Sequence, residues 1–458
     1  MLPWRVQDKQ TQLWQQFFWA GFFWLTLGGL MGLIILAQQL APSFLSGSFL
    51  LSAGHLQIYA GNLICFGGVY LLLVGFWQLR LRRLRAQPIF DYFPVWELGF
   101  WTWNFALAWG CFSALMGRHT QLPFLSFQPE AYGALMVSGS VIAGASTLNL
   151  PEEWPSRSPS LLLWLLGLWS LPVALFGFIA IPGAARWFSP SFVQLLLGMG
   201  LLLPVLGLLL PLSTKRLFVL DRKRLSGFTW GYILLLPLCV SAFSANTRSS
   251  GLILLLQFAL LLLFLLCLPA LRSWWGAAST FHAMFMDTLP PSFPDNDEEQ
   301  ARYHEQLQKT SKDWHPFIVL GGACLFGALL SMSAFSLLRM MGYTPSPTWH
   351  SNQTYLILGG CIALWLQGIA HLILPKHSNF SAPFAQRQWI AALTGVVLFI
   401  LGGWFETTLH LHLDLVSIPR GSIVPYFSRG LQLLGGLSTA YAFYLFLRSA
   451  VPSIRAIR

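Results

Sequence analysis

Ten histidines stand in a chain that is otherwise poor in ionisable groups: His55, His119, His282, His304, His315, His350, His371, His377, His410 and His412. Imidazole titrates near neutral pH, and it is a common axial ligand of haem iron. Which role a histidine can play depends on its depth and on what faces it. His55 lies near the start of the apolar run SAGHLQIYAGNLICFGGVYLLL (Ser52–Leu73), and His350 stands within WHSNQ (Trp349–Gln353), just before another apolar run. At matching depth on facing helices, two imidazoles could clamp one iron from opposite sides, as in a low-spin haem. As boundary residues of ordinary kind they would simply be wetted. His119, His377, His410 and His412 read in that second way, with His410-Leu411-His412 a bare pair that could at most hold a surface metal. His371 is toward the opposite end of its helix from His350, and His282, His304 and His315 belong to a polar loop or its edge.

Other chemistries leave no trace. There is no phosphate loop, no GxGxxG after a strand, no HExxH and no CxxCH for covalent haem attachment. The six cysteines (Cys65, Cys111, Cys239, Cys267, Cys324 and Cys361) all fall in apolar spans and none forms a CxxC pair. They read as small buried hydrophobes, not as disulfides or a zinc site. The deepest acids are Glu97, at the start of one span, and Glu406, just after another. Ionisable groups inside a bilayer are costly and mark function; these two fall at the edges, and for Glu97 an interfacial structural role is favoured over proton entry.

The elements that must position these residues follow from composition. Of 458 residues, 55% are hydrophobic and 9% charged, and mean hydropathy is +0.61. Soluble domains carry roughly a quarter of their residues as Asp, Glu, Lys or Arg. Apolar runs recur along the whole length, each long enough to cross a bilayer core of about 30 Å. The class is all-α and polytopic, a bundle of twelve transmembrane helices forming one integral membrane domain over residues 1–458. The spans fall near 15–37, 56–79, 95–117, 129–148, 160–182, 191–212, 227–245, 252–270, 316–338, 352–374, 388–404 and 430–448. The first is too long for a signal-peptide core. The fourth is rich in Gly, Ala and Ser, which suits close helix packing inside a bundle. Many of the 21 tryptophans, Trp77 among them, sit at span edges, where an interfacial belt accounts for them.

Charge placement fixes the orientation. With the N-terminus in the cytoplasm, all but six of the 27 Lys and Arg fall in cytoplasmic segments; Arg118, Arg186, Arg248, Arg339, Arg420 and Arg429 are the exceptions. That bias is the positive-inside rule at work, and it places both termini in the cytoplasm. The net charge of +11 therefore reflects topology and not a nucleic-acid partner. One long cytoplasmic loop, 271–315, separates spans 8 and 9, and its charges read as a solvated face. His55 and His350 both come out at the extracytoplasmic ends of their helices. Proline occurs within spans at Pro172, Pro204 and Pro237, without the paired positions expected of an inverted repeat.

Twelve spans with cytoplasmic termini resemble subunit I of the haem–copper oxidases, nearest the nitric oxide reductase and cbb3-type branch. In that family the second span begins with a low-spin haem histidine. His55, Asn62, Phe66 and Gly67 are similar in arrangement, and RLRRLR (Arg80–Arg85) closes the helix. WELGFWTWNFALAWGCFSALMG (Trp96–Gly117) resembles the aromatic third span. The family's tenth span opens with His-x-His; here His350 is present and Asn352 stands in the second place. Arg420 and Arg429 fall where the family sets arginines beside the haem propionates, a charge-assisted pairing. The departures are equally clear. FVQLLLGMGLLLPVLGLLLP and FTWGYILLLPLCVSAFSAN, the sixth and seventh spans, contain no histidine, so the family's three-histidine copper site cannot be assembled.

The resemblance implies one low-spin b-type haem with His55 and His350 as axial metal ligands and Arg420 and Arg429 as further haem-binding residues. The departures, with no histidine in the sixth and seventh spans, lead to the expectation of no copper site and no catalytic residues. The resemblance also implies a divergent, electron-carrying subunit of a bacterial cytoplasmic membrane that does not reduce oxygen or nitric oxide by itself. The partners implied are the lipid bilayer and other membrane redox subunits, a cytochrome c-type subunit among them. Three alternatives stay open: a haem-free scaffold or assembly subunit, a transporter using the Ser138–Thr147 small-residue stretch, and an active reductase with an unaligned metal site.

Overall fold

The computed structural model describes residues 3–45, 47, 51–84, 93–118, 127–148, 159–184, 200–205, 207–208, 316–325, 327–328, 331, 355–374, 382–413 and 423–456. Among these every element is a helix: α1 (Pro3–Leu40), α2 (Ala53–Asn62), α3 (Tyr70–Leu84), α4 (Phe93–Leu115), α5 (Pro129–Leu148), α6 (Pro159–Ala184), α7 (Pro316–Leu325), α8 (Ala363–Ile373), α9 (Ala382–Leu413) and α10 (Ile423–Ala456). Two π-helical segments, π1 (Leu63–Val69) and π2 (Leu356–Ile362), join α2 to α3 and lead into α8. Among the described residues five stretches are long and apolar enough to cross a membrane: Leu13–Leu40, Ala53–Leu79, Pro129–Leu148, Phe384–Glu406 and Tyr426–Arg455. The chain is a membrane helical bundle. Spans 7 and 8 and most of span 6 lie outside the described residues.

The described residues fall into two compact units. The first holds the chain to Phe22, Cys65–Thr120 and Phe127–Lys312, and its core is aromatic. Trp14, Trp77, Trp96, Trp103 and Trp164 are fully buried. Trp77 stacks on Trp164 with ring centroids 4.4 Å apart and planes 14° from parallel. It is thus a core residue, contrary to the interfacial placement expected from its position at a span edge. A belt residue can be told from a core residue only by what packs on it. Tyr70 stacks on Trp103 at 4.2 Å. The Trp103 Nε1–H donates to the Phe66 carbonyl at 2.9 Å. A π-segment shifts the backbone ladder by one residue, and carbonyls in such segments turn to other donors; Trp103 supplies one here. Gly139 lets Trp103 and Pro172 close on α5, each 3.3 Å from where a Cβ would stand. This bears out the expectation that the small residues of span 4 serve close packing.

The second unit holds Phe23–Ile64, Gln121–Ser126 and Asp313–Arg458. Its tightest pairing is α9 on α10, which approach backbone to backbone through Gly395, Gly402 and Gly435. Ser438 Oγ donates to the Ala391 carbonyl at 2.8 Å, and Ser428 Oγ to Gly402 at 2.7 Å. Tyr355 stacks on Phe399 at 3.7 Å and shares a hydrogen bond with Thr439. The Trp365 Nε1–H donates to the Ile318 carbonyl at 3.0 Å, tying α8 to α7. Small residues and buried side-chain donors are what helix association relies on where no water is present.

Candidate functional site

His55 occupies the first turn of α2, three residues after the N-cap, Ser52. The Ser52 carbonyl accepts the Leu56 N–H at 3.0 Å and so starts the helix. A serine in this place ordinarily accepts a backbone N–H of the first turn with its hydroxyl, an interaction worth about 1 kcal/mol. Ser52 makes no such cap hydrogen bond. Its Oγ instead lies 2.9 Å from His55 Nδ1. The imidazole is half-buried, and it continues the stripe formed by Ile58, Tyr59 and Asn62, all buried. His55 thus stands at the rim of an inward-facing stripe with one ring nitrogen already engaged. The Ala53–Leu79 stretch that carries it has 83% of its apolar window buried, the highest share of the five spanning stretches described.

Neighbouring elements arrive at the same end of the second unit. Gly28 of α1 sits against Ala60 and Ile64; a Cβ there would lie 3.2 Å from the Ala60 carbonyl oxygen. α1 and α2 therefore run antiparallel in close contact, and the last turn of α1 comes level with the first turn of α2. Gln38 Nε2 donates to the carbonyls of Phe44, at 3.1 Å, and Leu51, at 2.6 Å, which pins the connection between the two helices. Arg429, in the second turn of α10, donates from Nη1 to the Gln39 carbonyl at 3.0 Å. A cation on a terminal helix carbonyl complements the dipole of α1. The fold thus brings His55 and Arg429 to one end of one unit through the C-terminal turn of α1. His350 and Arg420 lie outside the described residues.

Glu406 differs from its sequence-based placement. α9 continues to Leu413, so Glu406 lies within the helix and not after it. It is 8% exposed and continues the Gly395–Gly402 stripe that faces α10. The span read from the sequence ends at residue 404, ahead of the polar ETT triplet (Glu406–Thr408), whereas the helix carries on through it. Glu97 is exposed on α4, as an interfacial residue would be. His410 and His412 fall in the last turns of α9.

A second polar cluster lies at the other end of the same unit. His371, in the last turn of α8, is 3% exposed and stacks on Phe317 at 5.0 Å. Its Nε2–H donates to Gln388 Oε1 at 3.2 Å, and Gln388 Nε2 donates to Gln367 Oε1 at 2.7 Å. The three side chains tie α8 to α9. Sequence reasoning noted His371 and missed both glutamines; the signal was the i, i+4 spacing of Gln367 and His371 on one helix face. It also missed Ser52, whose spacing of three residues from His55 fits a first-turn contact. Among the described residues no group of three or more His, Cys, Asp or Glu gathers to hold a metal. Cys65, Cys324 and Cys361 are buried and free, and Cys111 is free and half-buried.

No family model matches the chain, and no curated protein does. Among solved structures it is similar to a heme–copper terminal oxidase determined as a dimer by cryo-electron microscopy, with a TM-score of 0.68 at 12% identity. The alignment covers 99% of this chain and 85% of that one. The likeness is one of fold. It supports the resemblance read from the sequence at the level of architecture.

Proposed function

We propose that this chain is a membrane redox subunit that holds one low-spin b-type haem against His55 and transfers electrons without itself reducing oxygen or nitric oxide. The observation that carries the reading is the state of His55. It stands on the inward stripe of the most buried spanning stretch, with Nδ1 engaged by Ser52. Ligating histidines are held in this way, with the second nitrogen fixed by a hydrogen bond so that the first can bind metal. His55 fits a haem-ligand position, and a bound haem would supply one-electron chemistry there. His350 is the second ligand of this reading, and Arg420 and Arg429 its propionate partners. The likeness of fold to a heme–copper terminal oxidase supports the class. The absence of histidine from the sixth and seventh spans argues against a copper centre. The setting of the reading is a bacterial cytoplasmic membrane, with other redox subunits as partners, a cytochrome c-type subunit among them.

A haem-free scaffold is the second reading, and one contact favours it: Arg429 already satisfies the Gln39 carbonyl as a helix cap. A dithionite-reduced minus oxidised spectrum of the purified protein, with and without carbon monoxide, separates the two. A sharp b-type band indifferent to carbon monoxide, lost in His55→Ala, is the expected result. A folded, haem-supplied preparation with no band sinks the haem reading. A carbon monoxide shift sinks the exclusion of gas chemistry.

A further inference from the structure

We infer that Ser52 is the positioning residue for His55: its hydroxyl accepts the Nδ1–H, fixes the neutral tautomer and directs the lone pair of Nε2 toward the ligand. This deepens the haem reading and rests on it for the identity of the ligand, though not for the contact itself.

Three observations converge. The first is the 2.9 Å separation of Ser52 Oγ and His55 Nδ1. The second is the missing cap. Ser52 stands at the N-cap with extended backbone angles, φ −66° and ψ 144°, which are those of a capping serine, yet its hydroxyl makes no capping hydrogen bond. The hydroxyl is given to the imidazole in place of the cap, and departures from a local rule are expected at functional sites. The third is the helix register. Residue 55 falls on the same helix face as Ile58, Tyr59 and Asn62, which are buried, and its own side chain is half-buried.

Ser52→Ala removes the acceptor and leaves the helix end's backbone bonds as they are, since the hydroxyl caps none of them. Ser52→Thr keeps a hydroxyl in the same place. Histidine-selective 15N NMR of the full-length protein, with His55 assigned by difference from His55→Gln, reads the tautomer directly and requires no haem. The expected result is an Nδ1–H tautomer in the wild type, its loss in Ser52→Ala and its return in Ser52→Thr. In haem titrations Ser52→Ala should bind roughly 10- to 100-fold more weakly, the usual effect of removing an outer-shell partner. The electron paramagnetic resonance spectrum of whatever haem remains should broaden as the ring loses its fixed orientation. A tautomer that is Nε2–H in the wild type, or that Ser52→Ala leaves unchanged, overturns the inference whatever haem does. Haem affinity equal in wild type and Ser52→Ala overturns it as well. A wild-type chain that keeps the Nδ1–H tautomer but takes up no haem overturns the haem reading and upholds the Ser52 contact.

Discussion

Replacing Gly435 by alanine should wedge α9 from α10, and the size of the effect can be worked out from the backbone. A Cβ at position 435 would stand 2.7 Å from the Gly395 carbonyl oxygen, 2.7 Å from Phe399 N and 3.0 Å from Phe399 Cα. Ordinary contact begins at 3.4 Å, so the two backbones must part by about 0.7 Å. None of the three atoms belongs to a side chain that could rotate away. Overpacking of this kind costs about 1–3 kcal/mol. The parting also stretches the Ser438–Ala391 hydrogen bond and the Tyr355–Thr439 contact. Against this stands the helix preference of alanine over glycine, about 1 kcal/mol. Gly430, on the same helix, has no atom within 4 Å of its would-be Cβ. Gly430→Ala therefore gains the propensity without the clash, and the difference between the two variants isolates the packing cost at about 1–3 kcal/mol. Reversible unfolding in mixed micelles by added dodecyl sulfate, followed by tryptophan fluorescence, measures both. Equal stability of Gly435→Ala and Gly430→Ala would refute the backbone-to-backbone packing of α9 and α10.

Other outcomes follow from single contacts. Trp103→Phe keeps an aromatic ring against Tyr70 but withdraws the donor from the Phe66 carbonyl; it should cost about 1–3 kcal/mol in the same unfolding assay. A neutral result would show that the carbonyl of π1 finds another donor. His55→Ala should abolish the low-spin haem band, whereas Arg429→Gln should keep it and lower its midpoint potential. The sign follows because removing a cation near the haem disfavours the reduced, more negative form; a raised or unchanged potential in a redox titration would leave Arg429 as a helix cap alone. Gln388→Leu removes both the acceptor for His371 Nε2–H and the donor to Gln367, and hydrogen exchange across Ala363–Ile373 should accelerate. Exchange equal to wild type would mean that the cluster does not hold α8 against α9.

Periodicity and charge made the spanning helices legible. Span 4 was expected at 129–148, and α5 is Pro129–Leu148; span 5, expected at 160–182, is α6, Pro159–Ala184. A bilayer core demands about 20 apolar residues and an internally satisfied backbone, so hydropathy alone specifies such helices. It specifies their ends less well. α1 begins at Pro3, α9 runs to Leu413 and α10 to Ala456, each several residues beyond its apolar run, because helices extend into polar sequence wherever tertiary contacts hold them. Hence Glu406 changed from a loop residue to a buried one.

His55 stands out in the sequence as an imidazole at the start of a long apolar run. What the sequence could not disclose is which neighbour engages it. Ser52 could equally have capped the helix, and only the positions of its hydroxyl and the ring decide between the two. Arg429 reads in sequence as an extracytoplasmic cation placed where the family sets its propionate partners; its Gln39 carbonyl partner is 390 residues away in the chain. Trp77 reads as a belt residue until Trp164 is found stacked upon it. Composition and period are local properties, and they determine that the chain is a bundle of membrane helices. Burial and hydrogen-bond partners depend on which helix faces meet, and the tertiary structure alone decided those.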